Sequence, residues 1–165
     1  MLPCATTCSN QQFLFKIIYK HIAYIQQRHL DLVEHTGLLL VAYWLHYFDD
    51  LSWENAKEYA RLALNDVGVS HNRVDIAIEK LSKDEVARIN VAKVYAHSHR
   101  NQRGIYLFED LFTSLDQGSA EELVQLLQAV ARKGKVVVAQ SNRKDITTGF
   151  DQVLEMQDGG LVQVR

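Results

Sequence analysis

Residues 105–110, Ile-Tyr-Leu-Phe-Glu-Asp, constrain the fold of this chain more than any other stretch. Four apolar residues in a row, preceded by Gly104, are too few for a helix face and read as a buried strand of a parallel sheet. Downstream, Ser119-Ala120-Glu121-Glu122 has the S-x-x-E form of a capping box. It opens a helix with Leu123, Leu126, Leu127 and Val130 inward, stopped by Gly134. Lys135 to Gln140 (KVVVAQ) reads as a second buried strand. Strand, helix, strand in that order is a βαβ unit, parallel and right-handed, so the fold class is α/β. The first strand ends in Glu109-Asp110, at the edge where open α/β sheets hold their ligands. An acidic pair there suits a nucleotide site, one carboxylate on Mg²⁺ and the other orienting a water. A strand that simply turns polar as it meets solvent accounts for the same two residues.

Composition excludes several classes. A chain of 165 residues is one domain or slightly more and needs no staples for its core. A net charge of −2 with no basic stripe argues against a nucleic-acid partner. Cys4 and Cys8 have no second Cys/His pair nearby and fit two free thiols in a reducing, cytoplasmic setting. No basic region precedes an apolar run at the N-terminus, so no signal peptide is expected. The longest apolar run, Gly37 to Phe48, is about half of the ~20 residues a membrane span needs. It reads as a buried or partner-facing helix.

Residues 1–12 look irregular, and Phe13 to Tyr19 fit a helix or a strand equally. Ile22 to Ile25 reads as a short strand opening into a polar turn at Gln26-Gln27. Residues 36–100 then read as almost wholly helical. Ser52 is an N-cap, Trp53, Ala56, Ala60, Ala63, Leu64 and Val67 share one face, and Gly68 is the C′ residue. A short helix is expected over Arg73 to Lys80. Ser82-Lys83-Asp84-Glu85 is a capping box opening a helix with Val86, Ile89 and Val94. His97 to Gly104 reads as a polar loop, where the His-x-His pair is better explained by solvent than by a metal. Residues 153–164 read as a hairpin turning at Asp158-Gly159-Gly160.

Taken in order, these pieces resemble the ATP-binding cassette (ABC) ATPase family from about residue 13 onward, in the class serving lipoprotein release and macrolide export. Lys20 to Gln27 looks like the strand into the family's glutamine loop, with Gln27 at the glutamine and Gln26 the off-by-one alternative. Leu81-Ser82 and Arg88 to Lys93 resemble the LSGGQ signature and its helix. Glu109-Asp110 falls on the Walker B pair, Ser114-Leu115-Asp116 on the D-loop, Val136 to Asn142 on the strand into the H-loop, and residues 153–162 on the closing hairpin. The resemblance implies a truncated P-loop-NTPase-like core with an inserted α-helical subdomain and a C-terminal β-hairpin. Its divisions are 1–35, a partial core with the glutamine-loop segment; 36–100, the helical subdomain; and 101–165, the RecA-like core. It also implies ATP and Mg²⁺ as candidate ligands. Asp110 and Ser141 stand at catalytic positions, Gln27, Ser82 and Asp116 at nucleotide-contacting ones, and Glu109 at the metal.

The departures fall on the groups that touch nucleotide. No G-x-x-G-x-G-K-[ST] occurs in the sequence, so there is no backbone cradle and no lysine for β- and γ-phosphates. Signature Gly-Gly-Gln is Lys83-Asp84-Glu85, whose carboxylates favour the helix start but repel a polyphosphate. The Walker B pair is inverted, moving each carboxylate by about one methylene; misplacement on the order of 1 Å costs ~10²-fold in rate. Ser141, or Asn142 one residue on, replaces the H-loop histidine and cannot switch charge near neutral pH. ATP binding by the isolated chain is therefore doubtful on these residues.

The resemblance thus implies a pseudo-ATPase that docks on an integral membrane transporter subunit or a second cassette at the inner face of a membrane. Tyr43, Trp44, Tyr47 and Phe48 are then a docking surface, though ordinary core packing explains them equally well. The alternative is an active ATPase whose phosphate loop comes from a partner chain or a missing N-terminal part. A DNA-maintenance ATPase head fits the acidic charge and absence of heptads poorly. Without the phosphate-loop strand, the strands at 105–109 and 135–140 either pair directly or are bridged by residues 13–19. Failing both, an edge stays open, and the chain is expected to be oligomeric or aggregation-prone.

Overall fold

A computed structural model of the chain describes residues 22–26, 35–100 and 104–165, with backbone only for 23–26 and 98–100. The readings of residues 1–19 and of Gln27 lie outside the described residues. Among the described residues five short strands and four α-helices follow in order: β1 (Ile22–Gln26), α1 (Gly37–Phe48), α2 (Trp53–Asp66), α3 (Lys83–Arg100), β2 (Ile105–Glu109), α4 (Gln117–Ala131), β3 (Val136–Gln140), β4 (Leu154–Gln157) and β5 (Gly160–Gln163).

The helices form where the sequence supplies caps and an apolar stripe. Thr36 caps α1 by accepting from the Leu39 N–H at 3.2 Å, and Ser52 caps α2 through the Asn55 N–H. Ala56, Ala60, Ala63, Leu64 and Val67 are buried, as the stripe on α2 requires. That helix closes in a Schellman motif. Gly68 takes φ +83°, its N–H donates to the Asn65 carbonyl, and the Val69 N–H donates to the Leu64 carbonyl, both at 2.9 Å. α3 begins in the reciprocal capping box: Ser82 Oγ accepts from the Glu85 N–H at 3.1 Å, and Glu85 Oε2 accepts from the Ser82 N–H at 2.7 Å. α3 is the central helix, packed on α1, α2 and α4, and Ala87, Ile89, Val91, Ala92 and Val94 on it are all buried.

The three strands β1, β2 and β3 form one parallel sheet in sequence order, with registers Ile22↔Ile105 to Gln26↔Glu109 and Ile105↔Val136 to Glu109↔Gln140. The strands at 105–109 and 136–140 therefore pair directly. β4 and β5 make a separate antiparallel hairpin. Asp158 and Gly159, with φ 49° and 80°, form the two-residue loop that the strand twist favours.

Four expectations are corrected. Arg73 to Lys80 is not a helix: only Ile78–Lys80 makes a 3₁₀ turn, because Ala77 bridges to Thr36 and the Arg73 side chain reaches forward to Glu85. His97 does not lie in a polar loop. α3 runs on to Arg100, and His97 is buried, its Nδ1 2.5 Å from Asp49 Oδ1 and its ring edge-on to Tyr106. The N-cap of α4 is Asp116, not Ser119: Asp116 Oδ1 accepts from the Ser119 N–H at 2.9 Å, starting the helix earlier. Finally, β3 is not buried on both faces. Val136 and Val138 are 54% and 49% exposed.

Candidate functional site

The parallel register fixes the site's frame. Gln26, Glu109 and Gln140 stand in one row across the carboxyl end of the sheet, the end at which such sheets bind ligands. Asp110 and Ser141 each follow that row by one residue, so the register brings the Walker B-like pair beside the H-loop-like position.

Asp110 sits at φ +57°, a left-handed conformation that aspartate tolerates better than most residues. Its carboxylate accepts a hydrogen bond from Thr113 Oγ1, which turns the chain sharply out of β2. Ser141 Oγ accepts from the Arg143 N–H at 3.1 Å. Arg143 is a residue that motif reasoning missed. Its Nη1 donates to the carbonyls of Leu115 at 2.6 Å and Phe112 at 3.2 Å, while Nε and Nη2 grip Asp145. It thereby clamps the turn after β2 to the loop after β3. No spacing could have revealed it, because its acceptors lie 28 and 31 positions earlier. Asp116 spends its carboxylate on Ser119. The backbone N–H and the hydroxyl of that serine, with the neighbouring amides, hold the Asp116 carboxyl below the usual range.

The second half of the site is the start of α3. Arg73 binds Glu85 in a two-pronged pair, Nε to Oε1 at 2.5 Å and Nη2 to Oε2 at 2.9 Å. That hydrogen bonding, with the Ser82 N–H, pulls the Glu85 carboxyl down to about 2. Asp84 Oδ2 accepts from Arg88 Nε at 2.9 Å. The same guanidinium donates from Nη1 to the Val67 carbonyl at 2.9 Å and from Nη2 to Glu122 on α4 at 2.5 Å. Arg88 thus ties the end of α2 and the start of α3 to α4, and its side chain is only 12% exposed. Both carboxylates that replace the signature glycine and glutamine are therefore committed to arginines, and Ser82 is committed to the cap.

A third surface lies on α1. Tyr43 and Tyr47 are more than half exposed, whereas Trp44 and Phe48 are half-buried with rings 4.6 Å apart. The aromatic run is thus split between core and surface. Tyr43 stacks edge-on to Trp53 at 5.1 Å, and His46, Tyr47, Asp50 and Leu51 line a shallow, open depression.

Comparison with known proteins agrees with this geometry. No family model matches the chain. Over 106 residues, 64% of its length, the chain is 26% identical to the macrolide export ATP-binding/permease protein MacB of Shewanella sp. (strain ANA-3), but it spans only 15% of that relative. Its structure superposes on the bacterial ABC transporter cassette MJ0796 with a TM-score of 0.79 at 20% identity, covering 97% of this chain and 70% of that one. It superposes on cbiO1 from Clostridium perfringens, part of the ABC transporter complex cbiONQ, with a TM-score of 0.69 at 16% identity, covering 88% and 57%. The fold of this chain is that of an ABC ATPase cassette.

Proposed function

We propose that this chain is a degenerate ABC-type ATP-binding subunit, a pseudo-ATPase that serves as a structural or regulatory partner of a membrane transporter. The observation that carries the reading is the self-satisfied start of α3. A loop that grips a γ-phosphate must offer bare N–H groups and a positive helix end. Here Ser82 takes the Glu85 N–H, and Asp84 and Glu85 put two carboxylates into the first turn of α3, each held by an arginine. With no phosphate loop in the sequence, these residues do not fit a Mg-triphosphate held by this chain alone. Glu109 as metal ligand, Asp110 and Ser141 as catalytic positions, and Gln27, Ser82 and Asp116 as nucleotide contacts are therefore relics of the ancestral site in this reading.

MJ0796 is dimeric and cbiO1 is part of a transporter complex. Carried over to this chain, these facts make its partners a second cassette and an integral membrane subunit. Among the described residues no helix is long and apolar enough to cross a membrane, so we place the chain as a peripheral subunit at the cytoplasmic face. The exposed Tyr43 and Tyr47, with the shallow depression that Tyr47 lines, are the surface we assign to the membrane subunit, within a helical subdomain of residues 36–100 set between core segments 1–35 and 101–165. The test is phosphate release from Mg-ATP by the purified chain. No release above buffer is expected, and steady turnover would refute the reading.

A second reading has its own observation. The row Gln26–Glu109–Gln140 keeps the strand-end arrangement of a working core. In that reading a partner chain supplies the phosphate loop and Asp110 aligns water. Turnover that arises only on adding a partner would favour it.

A further inference from the structure

Two buried donors stand at the amino end of the parallel sheet, the end away from Glu109 and Asp110. Tyr106 is fully buried, and Lys135 is 5% exposed. Among the described residues neither the Tyr106 hydroxyl nor the Lys135 ammonium has a hydrogen-bond partner. Buried donors are ordinarily paired, and a buried ammonium without an anion is the costlier of the two to leave alone.

The strand register brings the two groups together. The Val136 N–H donates to the Gly104 carbonyl at 3.0 Å, and Val136 pairs with Ile105, so Lys135 lies across from Gly104. Side chains alternate along a strand, which puts Lys135 on the side of Tyr106 and Val137, both packed into the core. The Tyr106 ring folds back over Gly104: a Cβ on that glycine would lie 3.0 Å from the hydroxyl oxygen. The hydroxyl thus takes the place of a side chain at 104, on the strand next to Lys135. Adjacent strands lie about 4.8 Å apart, well within the span of a lysine stem. His97 closes the group from α3, its ring edge-on to Tyr106 at 6.0 Å.

Counter-charge is scarce around this group. Burial and then the Asp49 charge raise the Tyr106 hydroxyl, but Asp49 is held by His97 at 2.5 Å. Burial alone lowers the Lys135 ammonium, with no carboxylate acting against it. The adjoining sequence supplies none either, since residues 1–30 and 101–103 contain no aspartate or glutamate.

We propose that Lys135 and Tyr106 hold a small monovalent inorganic anion, of the size of chloride, between β2, β3 and α3. The ammonium brings charge and up to three donors, and the phenol O–H brings one more. A water accepting from both would leave the charge uncompensated. The site goes beyond the nucleotide reading and does not depend on it.

The test is urea unfolding of the full chain at constant ionic strength, with chloride replacing gluconate, an anion too large for such a site. Between zero and about 100 mM chloride the unfolding constant should fall about tenfold, as a site with a Kd of about 10 mM requires. Lys135→Met should lose that dependence, and Tyr106→Phe should weaken it. Lys133→Met, at an exposed lysine two positions away, should keep it, and general salt effects cancel between parent and variant. A direct readout needs no variant: the chloride NMR line should broaden with the folded chain and sharpen again when bromide competes. Equal chloride dependence in the parent and Lys135→Met overturns the proposal, as does loss of the dependence in Lys133→Met. So does the absence of both stabilisation and line broadening at about 100 mM chloride, about ten times the expected Kd.

Discussion

The helical and sheet portions of this chain solve the burial problem to different degrees. In the helical portion almost every apolar stripe finds a neighbour: Val41, Ala42, Leu45, Ala56, Ala60 and Leu64 are fully buried. Even its polar groups are enclosed. His97 meets Asp49, and burial pushes the Lys93 ammonium, bound to Asn90 Oδ1 at 2.8 Å, down to about 8. The sheet portion buries one face and leaves the other, together with Leu154, Met156 and Leu161 of the hairpin, at the surface. The contrast teaches that, among the described residues, the helical portion encloses its apolar stripes while the sheet covers one face more fully than the other.

The sharpest way to break this comparison is to truncate one apolar side chain in each portion, a buried one in the helices and an exposed one on the sheet. Leu64→Ala, at a site with no exposure, should cost about 2–5 kcal/mol in urea unfolding. Val138→Ala on the exposed face of β3 should change stability by no more than about 0.5 kcal/mol. Equal losses would show that this face is covered after all.

Arg88 is one tie between the two portions, beside the packing of α3 on α4 and of His97 on Tyr106. Arg88→Met leaves the Val67 carbonyl, Asp84 and Glu122 without their donor, and should cost about 1–3 kcal/mol. Glu122→Gln, at a 63% exposed side chain, should cost less. If the ranking of the two urea midpoints reverses, the bridge is not centred on Arg88.

Gly68→Ala asks whether the helical portion depends on its left-handed closure. At φ +83° an alanine should lower stability by about 1 kcal/mol, and an unchanged thermal midpoint would remove the Schellman motif from the argument.

The last effect is one of pH. Glu85 titrates near 2 in the folded chain against about 4.3 when unfolded. As pH falls the unfolded state takes up the proton first, so the stability that Glu85 contributes at neutral pH is lost between about pH 5 and 2. The gap in urea midpoint between the parent and Glu85→Gln should therefore narrow from pH 6 to pH 3. A gap that stays constant would mean that Arg73 does not hold the carboxylate.

Much of this was legible in the sequence. β1, β2, α1 and the hairpin are apolar runs bounded by turn residues, and Ser82 and Gly68 announce helix ends through local chemistry. What stayed hidden depends on distant partners. His97 looked like loop because Asp49 lies 48 positions away. Ser119 passed for a cap because Asp116 satisfies the same spacing rule three residues earlier. Arg73 looked helical although its side chain serves Glu85, 12 positions on. The valines of β3 read as buried because an apolar run says nothing about whether a chain covers both faces. In the site, the strands themselves were legible, but the direct pairing that sets Gln26, Glu109 and Gln140 in one row was one of several open arrangements, and the arginine clamps were not legible: Arg143, Arg73 and Arg88 act on groups that no linear pattern links to them.

The central claim is that this chain keeps the scaffold of a nucleotide-binding cassette without the groups that grip a triphosphate. Isothermal titration of the full chain with Mg-ATP tests it most directly. The expected result is no saturable heat, which corresponds to a Kd weaker than about 1 mM, or a binding free energy of less than about 4 kcal/mol in magnitude. A stoichiometric isotherm with a Kd near 1 μM, about 8 kcal/mol, would contradict it.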